Sequence, residues 1–209
     1  MNFDTANKIL FEPYNPQHHD KGTIAKLIFE SDVEMNSLVY GTEPIKLITA
    51  LLSTPQTYFL EEYTTLAVLN NRIVGIVVAY PVSKHAEIDK LAGQGMMKSM
   101  NPIAFIRKMP LFMKMSKMLG GTMENDGLYI HTICVDSEVR GQSIGSKLIQ
   151  HLNNINPKMY LYVNANNQSA IRFYERNGFI RKHHGTMRHK GKDYGELLME
   201  RTVSNEPNC

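Results

Sequence analysis

The stretch from residue 128 to 179, LYIHTICVDSEVRGQSIGSKLIQHLNNINPKMYLYVNANNQSAIRFYERNGF, limits what this chain can become. An apolar run at 128–135 leads into a small-residue turn, Arg140-Gly141-Gln142-Ser143-Ile144-Gly145. Behind the turn, Ile144, Leu148, Leu152 and Ile155 recur at near-helical spacing. The stretch reads as a strand, a turn and a helix over 145–155. The first turn of a helix carries backbone N–H groups without intrahelical partners, and the macrodipole adds partial positive charge there. The ligand expected at such a place is a phosphate or pyrophosphate.

Two familiar phosphate turns do not fit. A dinucleotide fingerprint needs G-x-G-x-x-G in the first strand–helix turn and an acidic residue about 20 positions later. Here the turn falls two-thirds along the chain with the wrong spacing, and the G-x-x-x-x-G-K-[ST] pattern is missing around 141–147.

The remaining chain reads as alternating elements. A short strand is expected at 9–14, ended by Pro13 and Pro16, then a helix at 20–30 with Ile24, Leu27 and Ile28 on one side. Residues 31–41 read as a loop or short helix. Pro44 suits a first helical turn, and Ile45, Ile48, Leu51 and Leu52 supply that helix with an apolar face. Segments 64–69 and 73–80 flank Asn70-Asn71, a hairpin signal. Beyond the phosphate turn, a strand at 159–163 and a helix at 167–177, stopped by Gly178, precede two closing strands, 179–187 and 194–202, around Lys190-Gly191-Lys192.

Residues 84–123 differ in character. They hold eight of the 13 methionines and seven Lys or Arg against only Glu87 and Asp89. Short helices are expected at 86–92 and 103–118, the second interrupted near Pro110. Methionines at helical spacing fill irregular core gaps. A lid over a substrate site, a homodimer contact or a membrane-surface helix are the other readings of a basic, apolar segment.

The turn and the segment beyond it resemble the GNAT superfamily of acyl-CoA-dependent N-acetyltransferases. The family's loop is R/Q-x-x-G-x-G/A, matched by Arg140, Ser143 and Gly145, with serine in place of the middle glycine. The next family motif, N-x-x-A-x-x-x-Y-x-x-x-G-F, is matched by Asn167, Ala170, Tyr174, Gly178 and Phe179. The resemblance implies an α/β (α+β) GNAT fold for residues 1–209. Its mixed sheet of six to seven strands is splayed at strands 4 and 5 and flanked by helices, with 84–123 a helical insertion between strands 3 and 4 and 204–209 a flexible tail.

It also implies acetyl-CoA as cosubstrate and direct acetyl transfer to a primary amine, carried by a small molecule, peptide or protein. The pyrophosphate is expected on the backbone of Arg140, Gly141, Gln142, Ser143, Ile144 and Gly145. The pantetheine arm is expected along Ile133, Cys134 and Val135, with a backbone N–H near Cys134 or Val135 polarising the carbonyl. Asn167 is either a cofactor contact or a helix N-cap. The family role of Tyr174 is to protonate the departing thiolate; its alternative is core packing with Phe173. His131 is a candidate base with a suitable intrinsic pKa, or a core histidine; Glu124 and Asp126 are weaker candidates. The second functional reading is a catalytically silent acyl-CoA-binding module.

Other chemistries find less support. Cys134, inside an apolar run, reads as a small hydrophobe before it reads as a nucleophile. His183, His184 and His189 lack a thiolate or carboxylate at metal-ligand spacing, so no metal site is expected. Two cysteines, Cys134 and Cys209, make no disulfide framework and point to a reducing, cytoplasmic setting. The opening MNFDTANKIL lacks the apolar core of a signal peptide. The longest apolar run, 73–80, is far short of the roughly 20 residues that span a bilayer. A net charge of +3 gives no reason to expect nucleic acid.

Overall fold

The structure, a computed structural model, describes residues 8–202. The expected tail at 204–209, with Cys209, and the first seven residues of the opening segment lie outside the described residues. In chain order the elements are β1 (Leu10–Pro13), α1 (Lys21–Ser31), α2 (Val33–Tyr40), α3 (Pro44–Leu51), β2 (Thr64–Leu69), β3 (Arg72–Pro81), α4 (His85–Ser99), α5 (Pro102–Met118), β4 (Leu128–Val135), α6 (Ile144–Asn153), β5 (Met159–Asn164), α7 (Gln168–Arg176), β6 (Ile180–His189) and β7 (Lys192–Arg201).

Local chemistry accounts for most boundaries. Asp20 caps α1 by accepting from the backbone N–H groups of Gly22 and Thr23, and Asp32 caps α2 through the N–H of Met35. Asn70 and Asn71 both take positive φ, 51° and 60°, as a two-residue hairpin turn requires. Lys190 and Gly191, at 48° and 81°, repeat the device between β6 and β7. Lys192 therefore opens a strand instead of completing the turn.

The seven strands form one sheet in the order β1-β2-β3-β4-β5-β7-β6. The β4–β5 pair is parallel; the other neighbours are antiparallel. One face packs α6 and α7 through Val77, Leu128, Ile130, Leu148, Leu161, Ile171 and Leu197. The other packs α1 and α3 through Ile24, Ile28, Ile48, Leu66, Ile76 and Cys134.

The methionine-rich segment is more regular than its glycines and proline suggest. Gly95 lies inside α4, where a Cβ would stand 1.7 Å from the Gln56 carbonyl oxygen; close approach explains the glycine. Pro110 lies inside α5, which runs on unbroken. The carbonyl left without a donor belongs to Ile106, on a turn whose side chain is 68% exposed, so water can serve it. Met96 and Met118 are buried, whereas Met97, Met109 and Met113 are exposed. The methionines thus divide between gap filling and an outward face shared with Ile103 and Ile106. Lys108 ties α5 to α2 by donating to the carbonyls of Leu38 and Val39, the latter at 2.9 Å. No helix among the described residues is long and apolar enough to cross a membrane.

Candidate functional site

The sheet opens at its centre. β4 and β5 register only at Leu128–Met159, Tyr129–Tyr160 and Ile130–Leu161. Beyond these pairs β4 continues to Val135 and β5 to Asn164 without pairing to each other. The backbone groups of Ile133, Cys134 and Val135 that face the gap have no strand partner there.

The 140–145 turn follows the open end of β4. Asp136 starts it by accepting from the Glu138 N–H, and Arg72 steadies it with contacts of 2.6 Å to Asp136 and 2.7 Å to Glu138. Arg140 Nε donates to the Val135 carbonyl at 3.1 Å, which brings a fixed positive charge to the mouth of the gap. Gly141 and Gln142 are exposed. Ser143 occupies the N-cap of α6 in the left-handed region, φ 60° and ψ 17°, and its side chain makes no cap hydrogen bond. The strain of such a conformation is about 1–2 kcal/mol for a non-glycine residue. Ile144 is buried in the core, which leaves its side chain out of the turn's surface. A Cβ on Gly145 would meet the Phe173 ring at 2.9 Å, so glycine lets the start of α6 close on α7.

Asn167 caps α7 by accepting from the Ala170 N–H at 3.1 Å and the Ser169 hydroxyl at 2.9 Å. Tyr174 is 8% exposed. Its ring packs edge-on against Phe173 and Phe179, with centroids 5.2 and 5.7 Å away. Its hydroxyl makes no hydrogen bond among the described residues. Burial, helped by Cys134, Asp32 and Glu196, raises its pKa, so the phenol keeps its proton. The Tyr174 ring is thus part of the core, and its hydroxyl is unengaged.

His131 sits at a bulge, because the β3–β4 register passes from Val78–Thr132 to Ala79–Ile130 and leaves residue 131 unpaired. Its ring stacks on Tyr58 at 4.2 Å, and Nδ1 lies 2.9 Å from the Thr132 hydroxyl. Burial, and then the nearby His85, pulls its pKa down to about 3. A neutral, stacked ring with so little affinity for protons fits packing better than proton abstraction. Burial pushes the Cys134 thiol up to about 11, which leaves no thiolate for a covalent route. Glu124 and Asp126 both pair with Lys158, the latter at 3.0 Å, beside the closed end of the β4–β5 pair. Among the described residues no group of three or more His, Cys, Asp or Glu could hold a metal ion.

Four residues absent from the sequence reading gather beside the gap. β7 lies inside the sheet, and Glu196 on it pairs with Asn164 of β5 and Gly185 of β6. Glu196 is 4% exposed, and its Oε1 has no hydrogen-bond partner among the described residues. Burial, then Asp32 and Glu34, raise its carboxyl pKa to about 8. Asn164 donates to Glu34 Oε2 at 2.7 Å.

The "Acetyltransferase (GNAT) domain" family matches residues 113–181, spanning the end of α5, the opened strand pair, the turn and α7. Over that stretch the chain is similar to GNAT acetyltransferase domains. Over 59 residues it is 36% identical to the peptidyl-lysine N-acetyltransferase YjaB of Salmonella typhimurium and 32% identical to YjaB of Escherichia coli. Those alignments cover 28% of this chain and 41% and 40% of the two relatives. An N-acetyltransferase from Staphylococcus aureus Mu50 superposes with a TM-score of 0.63 at 21% identity, covering 90% of this chain and 99% of its own. A GNAT family acetyltransferase from Elizabethkingia anophelis with acetyl-CoA bound superposes with a TM-score of 0.52 at 14% identity, covering 96% and 99%. The GNAT fold, with its splayed fourth and fifth strands, is thus the architecture expected from the two motifs.

Proposed function

We propose that this chain transfers an acetyl group from acetyl-CoA directly to a primary amine. The observation that carries the reading is the parallel β4–β5 pair that opens after three registered pairs, with an uncapped helix N-terminus and Arg140 at its mouth. This chain's residues fit the cosubstrate in charge and in unfilled hydrogen-bonding capacity. The backbone N–H groups of 140–145, with Arg140, would hold the pyrophosphate. The unpaired edge of β4 at Ile133 and Val135 would take the amide groups of the pantetheine arm.

Acetyl-CoA supplies an acetyl group activated as a thioester. A backbone N–H at Cys134 or Val135 would polarise the acetyl carbonyl. The Tyr174 hydroxyl, still protonated because it is buried, would give its proton to the departing sulfur. The YjaB relatives are peptidyl-lysine acetyltransferases by name, which supports an amine acceptor of that kind. The free thiol of Cys134 suits a reducing compartment such as the cytoplasm.

Calorimetry with acetyl-CoA, CoA and NAD tests the reading, alongside thiol release with a panel of amines and lysine peptides. Binding of acetyl-CoA and CoA with amine-dependent thiol release is expected. Binding of NAD without acetyl-CoA would overturn it, and acetyl-CoA binding without thiol release for any amine would favour a silent binding module.

A further inference from the structure

A carboxylate is stable inside a protein only when cations or hydrogen-bond donors replace its lost water. Glu196 has little of either. It is buried in an interior strand, its Oε1 has no partner among the described residues, and its charged neighbours there are the carboxylates of Asp32 and Glu34. Glu34 has its own cation, Lys192 of β7, and an amide donor in Asn164. The cluster therefore lacks positive charge at Glu196.

Its place in the sheet says where that charge would come from. Glu196 pairs with Asn164, three residues past the last β4–β5 contact at Leu161, and so stands beside the open part of the gap. Leu197 and Met199 of the same strand point to the α6–α7 face, whereas Leu198 packs on the opposite face with Tyr80, Tyr129 and Tyr160. Alternation along a strand puts Glu196 on that second face. Tyr174 reaches the gap from the α7 side, and Tyr129, Tyr162 and Tyr174 all feel the Glu196 charge. A proton donor and a proton acceptor thus bracket the opening from opposite faces of the sheet.

We propose that Glu196 is the catalytic base of this chain and the counter-charge for its acceptor, which binds as a protonated primary alkylamine beside Asp32 and Glu34. The proposal rests on the acetyl-transfer reading above. The ammonium first gives one proton to the Glu196 carboxylate. The freed nitrogen lone pair then forms the C–N bond to the acetyl carbon as the C–S bond breaks. The second nitrogen proton replaces the one Tyr174 gives to sulfur, so amide and thiol leave neutral. Glu196 releases its proton to solvent once the product departs. A carboxyl with a pKa near 8 is well matched to that exchange at neutral pH.

The experiment uses the full chain with n-butylamine as probe. Acetyl-CoA binding is measured first by calorimetry. Butylammonium binding to the CoA-saturated protein is then followed from pH 6 to 9, and thiol release is followed with acetyl-CoA. Butylammonium affinity should rise as Glu196 ionises through about pH 8. Of the other groups facing the cluster, burial raises the Asp32 carboxyl, Glu34 is held low by Lys192 and Asn164, and the three tyrosines are raised above their usual range, so loss of the profile in Glu196→Gln is what assigns it to Glu196.

Glu196→Gln should abolish the pH dependence, weaken butylammonium at least about 10-fold and lower kcat roughly 10²–10⁴-fold. Glu196→Asp should restore part of the rate. Unchanged kcat and pH profile in a Glu196→Gln protein that still binds acetyl-CoA would overturn the proposal and leave acetyl transfer standing. No butylammonium binding by the wild-type protein would overturn it too. Failure of acetyl-CoA to bind would remove both readings.

Discussion

Replacing Glu196 by glutamine should stabilise this protein, and more so as the pH rises. The carboxyl is shifted from 4.5 to about 8, burial first and the Asp32 and Glu34 charges after it. A raised acid pKa means that the native state holds its proton more tightly than the unfolded chain. Below about pH 4.5 both states are protonated and nothing is lost. Between 4.5 and 8 the unfolded carboxyl ionises freely while the native one resists, so native stability falls as pH rises; above 8 the full cost is present. The difference of 8 minus 4.5 is 3.5 units, and at about 1.4 kcal/mol per unit the cost is about 3–5 kcal/mol. Glutamine keeps the shape and does not titrate. Urea unfolding of both proteins at pH 5 through 9, extrapolated with a common m value, measures the effect. The variant should gain about 3–5 kcal/mol on the wild type between pH 5 and pH 9. A difference flat to within about 1 kcal/mol would mean that the carboxyl is solvated or paired, and would refute the reasoning.

Tyr174→Phe keeps the ring contacts with Phe173 and Phe179, so stability and acetyl-CoA affinity should hold while kcat falls roughly 10²-fold in steady-state assays. Ser143→Gly removes the left-handed strain at the start of α6 and should raise stability by about 0.5–1 kcal/mol with cofactor binding intact; Ser143→Val should lower it by about 1–3 kcal/mol, both read from urea midpoints. Gly95→Ala drives a methyl group into the Gln56 carbonyl and should cost about 2 kcal/mol or more, whereas Gly93→Ala in the same helix meets nothing within 4 Å and should gain about 0.5–1 kcal/mol by thermal melts.

The elements with local causes were legible in the sequence. Asn70-Asn71 could only turn a hairpin, Asp20 could only help start α1, and the two motifs at 140–145 and 167–179 framed one strand and one helix in register. What escaped depended on the third dimension. Pro110 and Gly95 read as breakers because neither the hydrated side of α5 nor the Gln56 carbonyl against α4 is visible in a linear pattern. Glu196 escaped for a topological reason. Residues 194–202 read as one of a closing pair of strands, yet β7 lies between β5 and β6, so its polar residue is enclosed by strands on both sides. The signal that was present is a carboxylate directly ahead of Leu197, Leu198 and Met199.

The bulge at His131 is a half-step in the strand's rhythm. Up to Ile130, even-numbered side chains of β4 turn toward α6 and α7; after it, Ile133 and Val135 do. One residue without a partner thus exchanges odd for even, and the two halves of the strand answer to different rules. The first half is in phase with β5 and bonded to it; the second is out of phase and detached. A single deletion at 131 would restore strict alternation, with Ile133 and Val135 still toward α6 and α7 and Cys134 still toward α1 and α3, and would remove the half-step between the half of β4 that builds the sheet and the half that leaves it.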